Sequence, residues 1–356
     1  TQRMNYRDAD FYEKMNCDVL YGKKAVSIDI SSKTVALDDG ETIPYSSICV
    51  ATGSSPFVPP FEGLDTVKNK FEFMTLDDAF ALEKAVNNDS KVLIIGAGLI
   101  GLKCAEGLRD RVASITVCDL ADRVLSSILD NDCAEIIQNH LEANGIKFML
   151  SDTAVSFNEN YANMKSGETV DFDVLVLAVG VRANASLIKD IGGEVNRGII
   201  VNEKMKTTVE SIFAAGDCTE GYDISLGQKR VLALLPNANM QGYTAGVNMA
   251  GGDSVFDKAI PMNSIGFFGL HAITAGTYEG EMYEEKGEGA IKRLFTKDGL
   301  LKGFIIIGTN ERAGIYTSLI REKTPLDSID FETMKKNATT AVFSSKNRRK
   351  MFGSVV

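Results

Sequence analysis

Short apolar runs alternate along the chain with stretches in which apolar residues recur at helical spacing. The clearest case lies between residues 91 and 119. The apolar run at 92–95 predicts a buried strand, the stretch after residue 98 predicts a helix, and the run at 115–118 predicts a second strand. Two strands separated by one helix are typical of a parallel strand–helix–strand unit.

The alternation continues beyond this unit. We expect a helix at 132–144, with Asp132 as its N-cap and Gly145 after its end, and then a strand at 146–150. Residues 153–170 are polar and turn-rich, which predicts β-hairpins. Apolar runs ending in glycine or Gly-Asp predict buried strands at 173–180 and 211–217. These units predict a doubly wound α/β layer, and small residues along 237–250 predict a closely packed helix.

The two ends of the chain show other patterns. Short strands are predicted at 26–30, 34–37 and 47–51, followed by a proline-rich loop at 56–60 that is typical of a domain exit. Thr75 is predicted to cap a helix over 75–85. After residue 253, a hairpin at 290–307 and helices at 311–322 and 330–336 predict a separate α+β unit.

Composition excludes several function classes. The net charge of −10 argues against a nucleic-acid partner, which would require a basic surface. No apolar run reaches about 18 residues, so we expect no membrane span. The six cysteines form no C-x-x-C pair, and with only His140 and His271 beside them we expect no metal site. Free thiols suit a reducing, cytoplasmic protein.

Three glycines between the strand at 92–95 and its helix have the spacing Gly-x-Gly-x-x-Gly. We expect Gly96 to make the turn, Gly98 to let the main chain approach a pyrophosphate, and Gly101 to pack the helix against the strand. The helix that begins at Gly98 carries Leu99 and Ile100 in its first turn and offers free N–H groups to phosphates. A purely structural glycine turn is the alternative.

Asp119 ends the second strand, eighteen residues after Gly101. A carboxylate at this position can accept hydrogen bonds from the adenosine ribose of a dinucleotide. Its negative charge would repel a 2′-phosphate, so the sequence favours NAD(H) over NADP(H). The alternative is that Asp119 only caps a loop.

Four motifs stand in one order along the chain: 51–53, 96–101, 177–180 and 212–217. Together they resemble the FAD-dependent pyridine nucleotide–disulfide oxidoreductase superfamily, over about residues 10 to 320. Residues 301–308 and 311–321 resemble most the branch with NADH:rubredoxin reductases and the flavin-binding subunit of NAD(P)H nitrite reductases. The resemblance implies a hydride transfer from NADH to FAD, with electrons passed to a small carrier such as rubredoxin.

The resemblance also implies the architecture. A Rossmann-like NAD domain (71–182) would be inserted in an FAD domain of glutathione-reductase type (1–70 and 183–252), followed by a C-terminal α+β domain (253–356). That last domain would be the interface of a possible homodimer. The implied cofactor contacts are Gly180 for NAD, and Ala51, Thr52, Gly53, Gly216, Asp217 and Asn237 for FAD.

The chain departs from the family pattern in three ways. It lacks the N-terminal Gly-x-Gly-x-x-Gly turn that binds the ADP half of FAD, so we expect a missing segment and weakened FAD binding. The family's redox cysteine pair would lie in that segment. Lys103 stands where many relatives carry glutamate beside the nicotinamide, and no catalytic residue is assigned. The alternatives are therefore a redox-silent NAD(H)-binding protein, an NADH oxidase and a disulfide reductase.

Overall fold

A computed structural model describes residues 6–309 and 311–343. The first part of the chain is mainly short strands, of which β1–β3 form an antiparallel sheet. Its elements are α1 (Phe11–Lys14), β1 (Ala25–Asp29), β2 (Thr34–Leu37), β3 (Thr42–Pro44), β4 (Ile48–Val50) and β5 (Ser54–Pro56). Within the described ranges, no helix is both long and apolar enough to span a membrane.

The next part is a unit built on a five-stranded parallel sheet in the order β6-β13-β7-β8-β9. Its elements are β6 (Lys70–Phe71), α2 (Leu76–Ala85), β7 (Lys91–Ile95), α3 (Leu99–Leu108), β8 (Ser114–Asp119), α4 (Asn131–Ala143), β9 (Ile146–Leu150), β10 (Ala154–Asn158), β11 (Tyr161–Met164), β12 (Thr169–Asp171) and β13 (Val174–Leu177). Alternate residues of its buried strands face opposite sides, as the pleat requires. Ile94 and Val176 pack with the helices, and Leu93 and Leu175 with the β10–β12 sheet.

This sheet is therefore covered by helices on one face and by an antiparallel sheet on the other. The predicted hairpins at 153–170 are present as β10–β12, and they replace the helices that a doubly wound layer would carry on that face. The helix predicted to start at Asp132 begins at Asn131, because Asp130 is the residue whose side chain accepts a hydrogen bond from Cys133 N (3.1 Å). Asp132 lies in the first turn.

The unit also begins earlier than predicted. The boundary at residue 70 falls within β6, which pairs with β13. Phe61 and Leu64 already pack in the core between the parallel sheet and β10–β12. The strand was missed because it has only two residues and no apolar run.

The chain returns from this unit on a strand that pairs with the strand on which it left. Returning strand β14 (Val181–Ala183) is antiparallel to β5, and Asn184 after it bonds to Thr52 O (Nδ2, 2.9 Å) and Gly53 O (main-chain N, 2.9 Å). The elements that follow are α5 (Ser186–Lys189), β15 (Ile199–Ile200), β16 (Ile212–Ala214), β17 (Thr219–Asp223), β18 (Gln228–Val231) and α6 (Leu235–Met249). Strand β16 is parallel to β4, so two distant segments share one core.

The last part is a five-stranded antiparallel sheet in the order β19-β20-β23-β22-β21, followed by two helices. Its elements are β19 (Met262–Phe267), β20 (Leu270–Gly276), β21 (Glu281–Gly287), β22 (Ala290–Lys297), β23 (Leu300–Ile307), α7 (Ala313–Arg321) and α8 (Phe331–Lys336). The hairpin predicted at 290–307 is present as β22 and β23, and it turns at Asp298 and Gly299, which both have positive φ. Phe304 and Ile306 face α7, whereas Ile305 and Ile307 pack with the core around α3 and α4.

Candidate dinucleotide and flavin site

The glycine turn lies between β7 and α3, at the carboxyl edge of the parallel sheet. Gly96 has φ +114°, and a methyl group placed on it would lie 2.3 Å from Ala178 O. A methyl group on Gly101 would lie 2.0 Å from Gly96 O. The protein's own main chain therefore excludes a side chain at both positions.

Gly98 differs from these two glycines. Its φ of −83° suits any residue, and a methyl group on it would meet no atom within 4 Å. Gly98 is the N-cap of α3, and no side chain caps this end of the helix. Leu99 and Ile100 follow in the first turn, where N–H groups have no intrahelical acceptor. The turn thus leaves open space beside free donors, as a bound diphosphate would require.

Asp119 lies beside this turn, at the end of β8. Its Oδ2 accepts a hydrogen bond from Ala97 N (2.7 Å) and its Oδ1 accepts one from Ala121 N (2.8 Å). The carboxylate therefore caps the following loop and also holds the glycine turn. Because each carboxylate oxygen has a second lone pair, it can still accept a ribose hydroxyl. Ribose binding stays a prediction, but the geometry that it needs is present.

Gly180 belongs to the same edge. It follows β13, the neighbour of β7, and it is exposed with φ +119°. Its carbonyl accepts a hydrogen bond from Phe57 N (2.9 Å), which joins the two segments that connect the inserted unit to the rest of the chain. Its main chain is free to face a ligand over the sheet edge.

The predicted flavin residues gather at a second edge. Since β4 and β16 are parallel neighbours, the turn at Ala51, Thr52 and Gly53 lies next to Gly216 and Asp217. Gly53 and Gly216 both have positive φ.

Two side chains that the sequence analysis did not predict as site residues, Asn184 and Gln241, organise this edge. Asn184 bonds to the 52–53 turn, and the amide oxygen of Gln241 accepts hydrogen bonds from Gly216 N (2.7 Å) and Thr219 Oγ1 (3.2 Å). Gln241 follows Asn237 by one helical turn, a spacing that would have indicated a shared face. Nothing local in the sequence marks Asn184.

Asp217 faces a cavity of about 520 Å³, whose lining also includes Ser54, Arg182 and Arg197. Burial raises the pKa of the Asp217 carboxyl. Ser54 Oγ is buried and finds no hydrogen-bond partner among the described residues. A sugar hydroxyl in this cavity would satisfy both groups, since buried polar atoms are normally paired.

Asn237 is placed differently from the expectation. The helix begins at Leu235, and the Asn237 side chain is fully buried, with Nδ2 donating to Ile260 O (3.2 Å). The side chain thus holds α6 against the segment before β19. Its main-chain N–H, in the first turn of α6, remains for a flavin, and its Oδ1 is buried with no hydrogen-bond partner among the described residues.

Comparison with known proteins identifies the family. A family profile described as pyridine nucleotide-disulphide oxidoreductase matches residues 7–242. The chain belongs to this family. The epsilon subunit of an NADH-dependent phenylglyoxylate dehydrogenase from Aromatoleum evansii is 33% identical over 342 residues, covering 91% of this chain and 80% of the relative. An NADH-rubredoxin oxidoreductase from Clostridium acetobutylicum is 31% identical over 270 residues, covering 76% of this chain and 66% of the relative.

A solved structure shows the same fold. The covalent complex of putidaredoxin reductase with putidaredoxin superposes with a TM-score of 0.85, covering 94% of this chain and 82% of that chain at 20% identity. As a member of the pyridine nucleotide-disulphide oxidoreductase family, the protein is an FAD-dependent NAD(P)H oxidoreductase with FAD and NAD(H) as cofactors. The sequence contains one Gly-x-Gly-x-x-Gly turn, at Gly96. The residues expected to contact FAD are therefore those predicted for its ribitol and flavin side.

Lys103 of this oxidoreductase does not reach into the dinucleotide site. Its ammonium group pairs with Glu106 and donates to Gly266 O (3.1 Å). Glu106 in turn accepts a hydrogen bond from Phe268 N (2.6 Å). The pair therefore joins α3 to the C-terminal sheet.

Four thiols of the oxidoreductase that are wholly or partly buried are poorly suited to nucleophilic chemistry. Burial raises the pKa of Cys49 to about 11 and those of Cys104 and Cys118 to about 12. Burial also raises the pKa of Cys218, next to Asp217. Because the thiolate is the reactive form, these side chains are inert near neutral pH.

Proposed function

We propose that the protein oxidises NADH at the glycine turn, passes the hydride to FAD, and delivers the electrons to a small redox carrier such as rubredoxin. The observation that carries this proposal is the open space over Gly98. Neither its backbone angles nor any neighbouring atom requires glycine there. A diphosphate bound directly against the main chain explains why residue 98 is a glycine.

The choice of NADH over NADPH rests on charge. Asp119 places a carboxylate beside the turn, and the nearby cation Arg123 is already engaged. Its Nη1 pairs with Asp122 (2.7 Å) and its Nε donates to Leu129 O (3.2 Å). A 2′-phosphate would therefore meet an anion and no free guanidinium, which costs binding energy.

The chain's own residues position the reactants. The first-turn N–H groups of α3 bind the pyrophosphate, and Asp119 accepts the ribose hydroxyls. With FAD bound, Asp217 would accept a ribitol hydroxyl, and the N-terminus of α6 would stabilise the negative charge that develops on the reduced ring. FAD, when bound, accepts a hydride from NADH and releases electrons singly or in pairs.

Two observations support a small redox carrier as the electron acceptor. The relatives named above include a rubredoxin oxidoreductase and a subunit of an NADH-dependent dehydrogenase. The protected thiols disfavour disulfide reduction by this chain.

Free thiols also suit a reducing cytoplasm. We place a homodimer contact on residues 253–356. The basic stretch at 346–350, which could attract an acidic carrier, lies outside the described residues.

The test is an anaerobic titration of the FAD-loaded protein with NADH. We expect the yellow colour of oxidised flavin to bleach, and to return faster with oxidised rubredoxin than with air or a small disulfide. Fast return in air alone would make the protein an oxidase. No bleaching, despite measurable NADH binding, would indicate a redox-silent binding protein.

An Asp119→Ala variant tests the site itself. It should bind NADH more weakly and lose most of its preference for NADH over NADPH. Asp110→Ala is the matched control, because it removes an exposed carboxylate that follows α3 and leaves the pairing of Arg123 with Asp122 intact. Equal coenzyme preference in the wild type and Asp119→Ala would refute the assignment.

A further inference from the structure

We propose that the C-terminal sheet braces the dinucleotide site through the loop at 120–130, so that Tyr278 and Arg293 are positioning residues for NADH binding. The inference rests on the proposed site at the glycine turn. This loop, called the bracing loop below, connects β8 to α4. It contacts the glycine turn on one side and the C-terminal sheet on the other.

On the site side, the bracing loop bonds to the residue between Gly96 and Gly98. Leu125 N donates to Ala97 O (2.9 Å), while Ala97 N donates to the Asp119 carboxylate. Both main-chain polar groups of Ala97 are thus fixed by the strand end and the bracing loop. Any shift of the loop would therefore move the main chain that faces the diphosphate.

Leu125 shows that the loop is held firmly. It is a buried leucine with φ +51°, in the left-handed region that non-glycine residues rarely adopt. Such a conformation persists only where the surroundings over-determine it. Arg123 supplies part of that restraint by bonding to Leu129 O inside the same loop.

On the other side, two C-terminal residues hold the end of the bracing loop. The Tyr278 hydroxyl donates to Ile128 O (2.5 Å), and burial raises the pKa of this phenol to about 12, so it remains a donor at neutral pH. Arg293 is 5% exposed and bonds to Asp130 and Asp132, each at 2.6 Å. Asp130 is the N-cap of α4, so Arg293 fixes the point where the loop becomes helix.

The guanidinium of Arg293 also pairs with Glu284 on the neighbouring strand (2.6 Å). Glu284 holds the cation in place from the C-terminal side, while the two aspartates belong to the NAD-binding side. The ion pairs therefore span the contact between the sheet and the loop. Breaking this cluster frees the loop end and leaves the buried Arg293, or its partly exposed carboxylate partners, unpaired.

The neighbouring residue on β22 provides a matched control. Lys292 is equally buried (3% exposed) and pairs with two carboxylates, Glu285 (2.8 Å) and Glu311 (2.7 Å). Its side chain faces α7 and α8, away from the bracing loop. Tyr316 matches Tyr278, since its buried hydroxyl donates to Met334 O (2.9 Å) on that same side.

The experiment measures NAD⁺ binding to the full chain by calorimetry, which needs no turnover. We expect Tyr278→Phe and Arg293→Met to weaken binding about 3- to 10-fold, in the range of coupling through packed contacts. Arg293→Lys should recover part of the loss. Lys292→Met and Tyr316→Phe should bind within about twofold of the wild type, whatever they cost in thermal stability.

Three outcomes distinguish a failure of the brace from a failure of the proposed dinucleotide site. Wild-type affinity in Tyr278→Phe overturns the brace if Gly98→Val still abolishes binding. Equal losses in Tyr278→Phe and Tyr316→Phe also overturn it, because the effect would then be general destabilisation. Wild-type affinity in Gly98→Val instead refutes the proposed site. If Arg293→Met does not fold, Tyr278→Phe, which removes only one oxygen, decides alone.

Discussion

Alanine substitutions at Gly98 and Gly101 should separate the requirements of the ligand from those of the fold. The two residues are one helical turn apart, and both belong to the same motif. At Gly101 a methyl group would lie 2.0 Å from Gly96 O, whereas at Gly98 it would meet nothing within 4 Å. We expect Gly101→Ala to destabilise the protein and Gly98→Ala to weaken NADH binding.

The magnitudes follow from these distances. An ordinary carbon contact needs about 3.5 Å, so α3 must move away from the turn in Gly101→Ala, at a cost of about 1–3 kcal/mol or more in the free energy of unfolding. Gly98 has φ −83° and ψ −174°, which alanine adopts freely. Its substitution should change the free energy of unfolding by at most about 0.5 kcal/mol, and the loss of chain entropy in the unfolded state makes stabilisation possible.

NADH binding should be affected in the opposite order, more strongly by Gly98→Ala than by Gly101→Ala. A methyl group on Gly98 occupies the space where the main chain must approach the diphosphate, so we expect NADH affinity to fall at least about tenfold, or about 1.4 kcal/mol. Urea unfolding and calorimetric titration measure the two effects on the same samples. Gly107→Ala, on the exposed side of α3 with open space around it, is the control for a change in helix propensity. NADH binding of wild-type strength in Gly98→Ala would show that the open space over Gly98 is not the diphosphate site.

Three further outcomes are expected. Asp217→Asn should raise the melting temperature at neutral pH, because burial raises the pKa of this carboxyl and ionisation therefore opposes folding; the gain should vanish on acidification, once the carboxyl is protonated. A gain that persists at low pH would exclude this cause. In the native protein a thiol reagent should modify the exposed Cys17 at neutral pH and leave Cys104 and Cys118 untouched, as read by mass spectrometry. Thr75→Ala should lower the free energy of unfolding by about 1 kcal/mol, because the Thr75 hydroxyl accepts a hydrogen bond from Asp78 N (3.1 Å) at the start of α2; an unchanged urea midpoint would contradict the cap.

The parts of the site that lie close together in sequence were predictable. Gly96, Gly98 and Gly101 are placed by one strand, one turn and one helix, and the acidic residue follows on the next strand. Such local units follow from hydrophobic periodicity and glycine spacing. The same holds for the Thr75 cap, whose two partners are three residues apart.

Other features depend on contacts that no local pattern records. The cap of α4 is Asp130 and not Asp132, although either carboxylate suits a helix start. Which of them bonds to the first turn depends on the path of the loop before it, and Arg293 helps to fix that path from far along the chain. The bond between the Asn237 side chain and Ile260 O could not be predicted for a similar reason, since Ile260 belongs to a segment whose position the sequence did not indicate.

The proposed dinucleotide site is therefore not contained in the unit that carries its glycines. Phe267 and Ile291 of the C-terminal sheet share a hydrophobic core with Cys133 and Ile137 of α4, so removing the sheet would expose apolar surface on both sides. It would also release the bracing loop from Tyr278. The inserted unit alone should consequently bind NADH more weakly than the full chain, even with every motif residue in place. The C-terminal sheet then has a role in coenzyme binding that is separate from any subunit contact it makes.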